Sequence, residues 1–174
     1  MPQVNRLNLP SAPTKKQIEN KDIWNELRSS TKADFFTLGY TGRKIDEIVI
    51  TLLAYNVRTL VDIRRNAISM YRPELSKNNL CRFLATKGIE YAHLPEWGVP
   101  RDIRAKAIET GTRDVIWQWY DNAVSEFLGW NLHYFLNRFE HPVALMCTEI
   151  DPHECHRHRL SLALESLGMR GFEI

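Results

Sequence analysis

No run in these 174 residues approaches the roughly 18 consecutive apolar residues needed to span a bilayer. The N-terminus also lacks the charged-then-apolar order of a secretory signal. The expectation is therefore a cytoplasmic protein with no membrane association. Cysteine is scarce: the chain holds only Cys81, Cys147 and Cys155. So small and odd a set builds no secreted-type disulfide framework, and the thiols read as reduced. An excess of one charge sign is missing too. Twenty-three Lys and Arg against 21 Asp and Glu leave a formal charge of +2, which excludes coating of nucleic acid by bulk charge and leaves only a local basic patch. There is no internal repeat, no low-complexity tract and no standard zinc-ligand spacing.

What is present is ordinary globular composition. The chain is 44% hydrophobic and 25% charged, which excludes disorder of the whole chain and suits one α/β domain. Residues 1–34 read as an N-terminal extension. Pro2, Pro10 and Pro13 mark a tail, and Ile18, Ile23, Trp24 and Leu27 fit one face of a short helix. The domain is read over 35–174. Phe35-Phe36-Thr37-Leu38-Gly39 is a first strand, and Ile45, Ile48, Val49, Leu52 and Leu53 follow at helical spacing. Thr59–Ile63 is a second strand. Leu80, Phe83 and Leu84 mark a helix with Ser76 as N-cap and Gly88 as its stop. Tyr91–Leu94 is a third strand, and 101–139 is mostly helical, with Trp117, Trp119, Phe127, Trp130, Tyr134 and Phe135 along it. Val143–Cys147 is a fourth strand, Leu160, Ala163, Leu164 and Leu167 mark the last helix, and Gly171–Ile174 suggests a short fifth strand. Strands alternating with helices predict a mainly parallel sheet flanked by helices.

Ligands of such sheets bind outside the carboxyl ends of the strands. Those ends carry Tyr40 and Arg43 after the first strand and Arg64, Arg65 and Arg72 after the second. Glu96 and Trp97 follow the third, and Cys147 and Glu149 the fourth. The spacing of Asp151-Pro152-His153-Glu154 predicts a helix start, with Asp151 as cap and Pro152 at the first position. Cys155 and His156 then lie in its first turns, with Arg157 and Arg159 on other faces, where Arg157 is expected either to bind an anion or to be solvated. A helix N-terminus favours thiolate, so Cys147 is the candidate nucleophile, with Glu149 or His156 as acid–base groups. The helix start is expected to hold Cys147 and Cys155 in separate environments. Cys147, Glu149, His153, Cys155, His156 and His158 are all possible metal ligands, but without a standard spacing no metal is assigned. The rival reading of Cys147 is a small buried strand-end residue, and of His156 a satisfied core histidine. Arginine forks suit carboxylate or phosphate. Tyr40 and Tyr71 suit stacking on a base or rim packing.

Gly39-Tyr40-Thr41-Gly42-Arg43, Leu60-Val61-Asp62-Ile63-Arg64, Tyr91–Gly98, and Cys147-Thr148-Glu149 with Cys155-His156-Arg157 together resemble the domain of unknown function family 488 (DUF488). The resemblance covers about residues 35–174. It implies an α/β fold and a shared site at Arg64, Glu96, Cys147, Glu149, Cys155, His156 and Arg157. It supplies no reaction and no cofactor. Trp97 and the terminal Glu173-Ile174 depart from the family pattern. The leading expectation is an enzyme acting on an anionic small molecule or nucleotide-like group, with Arg64 and Arg72 holding the anion. The alternatives are a nucleic-acid-binding or nucleic-acid-processing module and a non-catalytic ligand sensor.

Overall fold

The computed structural model describes residues 33–174, apart from the side chains at 127 and 129–136. The expected N-terminal helix at Ile18–Leu27, and the side chains of Phe127, Trp130, Tyr134 and Phe135, lie outside the described residues.

Five strands alternate with helices. They are β1 (Phe35–Gly39), β2 (Thr59–Asp62), β3 (Glu90–His93), β4 (Val143–Cys147) and β5 (Gly171–Glu173). The flanking helices are α1 (Ile45–Ala54), α2 (Lys77–Ala85), α3 (Arg101–Thr110), α4 (Asp114–Arg138) and α5 (His156–Ser166). Every strand pair is parallel, in the order β3-β2-β4-β1-β5. The predicted parallel α/β sheet is therefore present, with β4 at its centre. The predicted helical stretch 101–139 divides in two: α3 stops at Gly111, which takes a left-handed φ of 67° that suits glycine at a helix end. No helix among the described residues is long and apolar enough to cross a membrane.

The central strands are apolar on both sides because both faces are covered. Phe36, Leu38, Leu60, Ala144 and Met146 pack with Ile48, Val49 and Leu52 of α1 and Leu80 and Leu84 of α2. Phe35, Val61, Ile63, Val143, Leu145 and Cys147 pack with Tyr120, Val124 and Leu128 of α4 and Leu160 and Leu164 of α5. The strand pleat sends alternate side chains to opposite faces. Thus β1 leads into a helix on one face, and its neighbour β4 leads into a helix on the other. In a doubly wound sheet the usual ligand position is at the carboxyl ends of the strands where the chain diverges in this way.

Ser76 stands at the N-cap of α2 but gives the helix no side-chain bond. Its hydroxyl instead accepts from the Ser69 N–H at 2.9 Å, tying down the loop after β2.

Candidate functional site

Gly39 and Cys147 stand opposite each other in the β1–β4 register. Beyond them the two chains stay paired: Tyr40 N–H donates to the Cys147 carbonyl at 3.3 Å and Thr41 N–H to the Thr148 carbonyl at 3.0 Å. The chain then turns through Glu149 and Ile150, whose carbonyls both accept from the Arg157 guanidinium. Arg157 is fully buried and also binds Glu173 Oε1 at 2.7 Å. It holds the loop after β4 from inside.

The helix start differs from the sequence expectation. Asp151 does cap, accepting from His153 N–H at 2.9 Å, but what it caps is a single 3₁₀ turn, Pro152–Glu154. Cys155 then takes an extended conformation, and α5 begins at His156 with Cys155 as its N-cap. This extra turn carries Cys155 back over the end of β4. The expectation of separate thiol environments is therefore overturned. Cys147 Sγ, Cys155 Sγ and a His156 ring nitrogen all lie within 4.8 Å of one another. Both cysteines are buried in the same apolar cluster, and all three cysteines of the chain are free thiols.

Cys147 is 1% exposed. Its Sγ lies 3.5 Å from Glu149 Oε2 and 3.7 Å from His156 Nδ1. His156 Nε2 faces the Ile63 carbonyl at 3.3 Å. A ring nitrogen opposite a carbonyl must donate, so the proton sits on Nε2 and the Nδ1 lone pair is free to turn to the sulfur. The Tyr120 ring packs on the imidazole, 5.1 Å between centroids, and its hydroxyl donates to the Trp97 carbonyl at 2.9 Å. Burial, with Cys147 and Cys155 nearby, pushes the Tyr120 phenol well up. Burial likewise dominates at Cys155 and raises its thiol far above the ordinary range. At Glu149 burial opposes ionisation, but hydrogen bonds from Cys155, a backbone N–H and Cys147, together with the electrostatic field of His156, outweigh it, and the carboxyl sits below its usual value.

Two neighbouring cavities lie on this side of the sheet, and the first reaches the cluster. One, of about 330 Å³, is lined by Glu149, His156, Glu154, Arg113 and Trp117 among others. A second, of about 820 Å³, is lined by Arg64, Arg65, Arg101, Arg104 and Thr148 among others. Val99 and Arg104 line both. Glu149 and His156 thus face the first cavity, with Cys147 immediately behind them.

The structure divides the remaining predicted site residues into groups. Arg64 binds Asp62 through Nε at 2.8 Å and Nη2 at 2.5 Å, donates to the Leu75 carbonyl at 2.9 Å, and stacks 5.1 Å from the Tyr40 ring centre. Tyr40 in turn accepts from Thr148 Oγ1 at 3.3 Å, which links this group to the β4 loop. Arg72 pairs with Glu74 at 2.9 Å. Burial lowers the pKa of Arg43, which lies in the electrostatic field of Glu173 and Arg157. Arg65 is exposed and donates to the Pro95 carbonyl at 3.3 Å. Glu96 is exposed and lines neither cavity, and Trp97 is buried in the core. Sequence reasoning missed Arg101, Arg104, Arg113 and Tyr120. The pattern Pro100-Arg101-x-x-Arg104 was the available signal: proline before a helix, and two arginines three apart on one helical face.

A family model with the description "Domain of unknown function DUF488" matches residues 44–164, which spans β2, β3 and β4 and most of the helices around them. No curated protein and no solved structure matches the chain.

Proposed function

The chain belongs to the DUF488 family, and from that premise we propose that it is an enzyme acting on an anionic small molecule or nucleotide-like group, with Cys147 as nucleophile. The observation that carries this reading is the Cys147–His156 pair. A thiol 3.7 Å from a ring nitrogen, on an imidazole oriented by the Ile63 carbonyl, has the nucleophile–base–orienter arrangement that activates weak nucleophiles. His156 Nδ1 takes the thiol proton. Glu149 lies between the sulfur and the cavity, so its side chain governs approach. Arg64 and Arg72 already hold Asp62 and Glu74. The anion therefore falls to Arg65, Arg101 and Arg104 on the rim of the larger cavity, where planar forks suit carboxylate or phosphate.

The test compares alkylation of Cys147 with alkylation of the exposed Cys81 in chelator-treated protein at one neutral pH, residue by residue, by mass spectrometry. Cys147 should react faster despite its burial, and should favour anionic iodoacetate over iodoacetamide more than Cys81 does. His156→Gln should slow Cys147 by about 100-fold, the low end of what a positioned base contributes, and leave Cys81 unchanged. Equal or slower labelling of Cys147 would leave only a binding pocket.

A second reading, nucleic-acid association, is favoured by one observation. The chain leaving the arginine-lined cavity at Asn66 carries Tyr71, which is 99% exposed. Arginines along a groove with an aromatic platform suit a single strand. If a short oligonucleotide engages three of these arginines, log K should fall with log salt at a slope of about −2, near −0.7 per phosphate. A flat salt series leaves the small-molecule reading.

A further inference from the structure

We propose that Cys147, Cys155 and His156 form a binding site for Zn²⁺, with the fourth coordination position on the side of Glu149 and the smaller cavity. Two sulfurs and one imidazole nitrogen within 4.8 Å of one another make a donor set of the kind that selects zinc, soft thiolates with a borderline nitrogen. The spacing also fits. Zn–S of about 2.3 Å and Zn–N of about 2.0–2.1 Å put neighbouring ligands of a tetrahedral ion about 3.5–3.8 Å apart, and Cys147 Sγ lies 3.7 Å from His156 Nδ1.

Two surrounding groups point to a ligand at this place. A zinc-bound histidine normally donates its other N–H to a carbonyl or carboxylate, and His156 Nε2 already faces the Ile63 carbonyl. Arg157 lies within electrostatic reach of Cys155, and its buried Nε has no hydrogen-bond partner among the described residues. A neutral thiol is a weak acceptor for that donor, whereas a metal-held thiolate is a strong one. Charge balances at the ion as well: Zn²⁺ with two thiolates and a neutral imidazole is neutral overall, and the neighbouring Arg157 is paired with Glu173.

Cys147-x₇-Cys155-His156 matches no standard zinc spacing, because adjacent ligands rarely converge. Here the 3₁₀ turn Pro152–Glu154 and the extended backbone of Cys155 bring both side chains over the end of β4. The site goes beyond the thiol-enzyme reading. Where that reading holds, metal occupies the nucleophilic sulfur, and loading switches the thiol off.

The test adds Co²⁺ to the chelator-treated full chain and follows thiolate-to-cobalt charge-transfer absorption. One equivalent should saturate it, and Zn²⁺ should displace the cobalt. Cys155→Ser and His156→Gln should weaken binding by more than the roughly 10–100-fold that a lost outer partner costs, and Cys81→Ser should change nothing. Because either variant can lose its fold, X-ray absorption at the zinc edge of the wild-type protein gives an independent reading. It should show two sulfur neighbours at about 2.3 Å and one imidazole at about 2.0 Å. No charge-transfer band, or a zinc shell of nitrogen and oxygen alone, overturns the site. Fast Cys147 alkylation without cobalt binding sinks the metal site only, and cobalt binding with slow alkylation of the metal-free protein sinks the nucleophile only.

Discussion

Asp62→Ala is expected to destabilise the protein by about 3–5 kcal/mol, the cost of leaving a buried charge without its partner. Asp62 is fully buried at the end of β2, and its carboxylate gathers donors from three groups. The Arg64 guanidinium donates through Nε and Nη2, the Arg64 backbone N–H donates at 3.1 Å, and the Tyr91 hydroxyl donates at 2.6 Å. Burial disfavours the Arg64 cation, but hydrogen bonds and charge from Asp62 outweigh it and hold its pKa above the ordinary value. Without Asp62 the burial is opposed only by the Leu75 carbonyl and the Tyr40 ring, and arginine cannot escape by losing its proton. A single domain has about 5–15 kcal/mol of stability in all, so the variant should unfold at far lower urea. The double variant Asp62→Leu with Arg64→Met removes both charges and should recover much of the loss. A urea midpoint for Asp62→Ala near that of the wild type, with an unchanged slope, would show that Arg64 finds another partner.

The same pair shows where a sequence stops being readable. The strand Leu60-Val61-Asp62-Ile63 was legible because a continuous apolar run marks a strand buried on both faces, and the alternation of strands and helices led directly to the parallel sheet. The arginines on strand ends were legible as a concentration of charge. Their use was not, since one residue type can grip a ligand or neutralise a neighbour, and only the fold decides. Arg64 is spent on Asp62, Arg72 on Glu74 and Arg157 on the carbonyls of Glu149 and Ile150. Arg101 and Arg104 remain on the larger cavity.

The thiol cluster failed to appear in the sequence for a different reason. Asp151-Pro152-His153-Glu154 carries every local sign of an α-helix start, and read that way it sends Cys155 around the helix, away from Cys147. A 3₁₀ turn has the same cap and the same proline but tighter winding, and the chain restarts as α-helix only at His156. Four residues of local geometry therefore decide whether the two sulfurs are strangers or neighbours. Cap chemistry identifies where a helical turn begins but carries no information on which helix follows.

Gly39→Ala is expected to cost about 3 kcal/mol, the upper end of the overpacking range, and to disable the site as well. A β-carbon at position 39 would lie 1.8 Å from the Glu149 carbonyl oxygen and 2.9 Å from Ile150 Cα. Both obstacles are backbone, so no rotamer change relieves them, and the loop after β4 must move. That loop is pinned from the far side by Arg157, which holds the carbonyls of the same two residues. Displacing it pulls Glu149 from Cys147 and breaks the bonds to Arg157, so cobalt binding and Cys147 alkylation should both fall with stability. Gly42→Ala is the control. Gly42 has a φ of 79°, and a β-carbon there meets nothing within 4 Å. Its cost is the left-handed backbone alone, about 1–2 kcal/mol, with the thiol cluster left intact. Urea unfolding and residue-resolved alkylation of the two variants side by side separate close approach from backbone strain. A Gly39→Ala protein as stable and as reactive at Cys147 as Gly42→Ala would mean that the β1 end and the β4 loop do not pack as described.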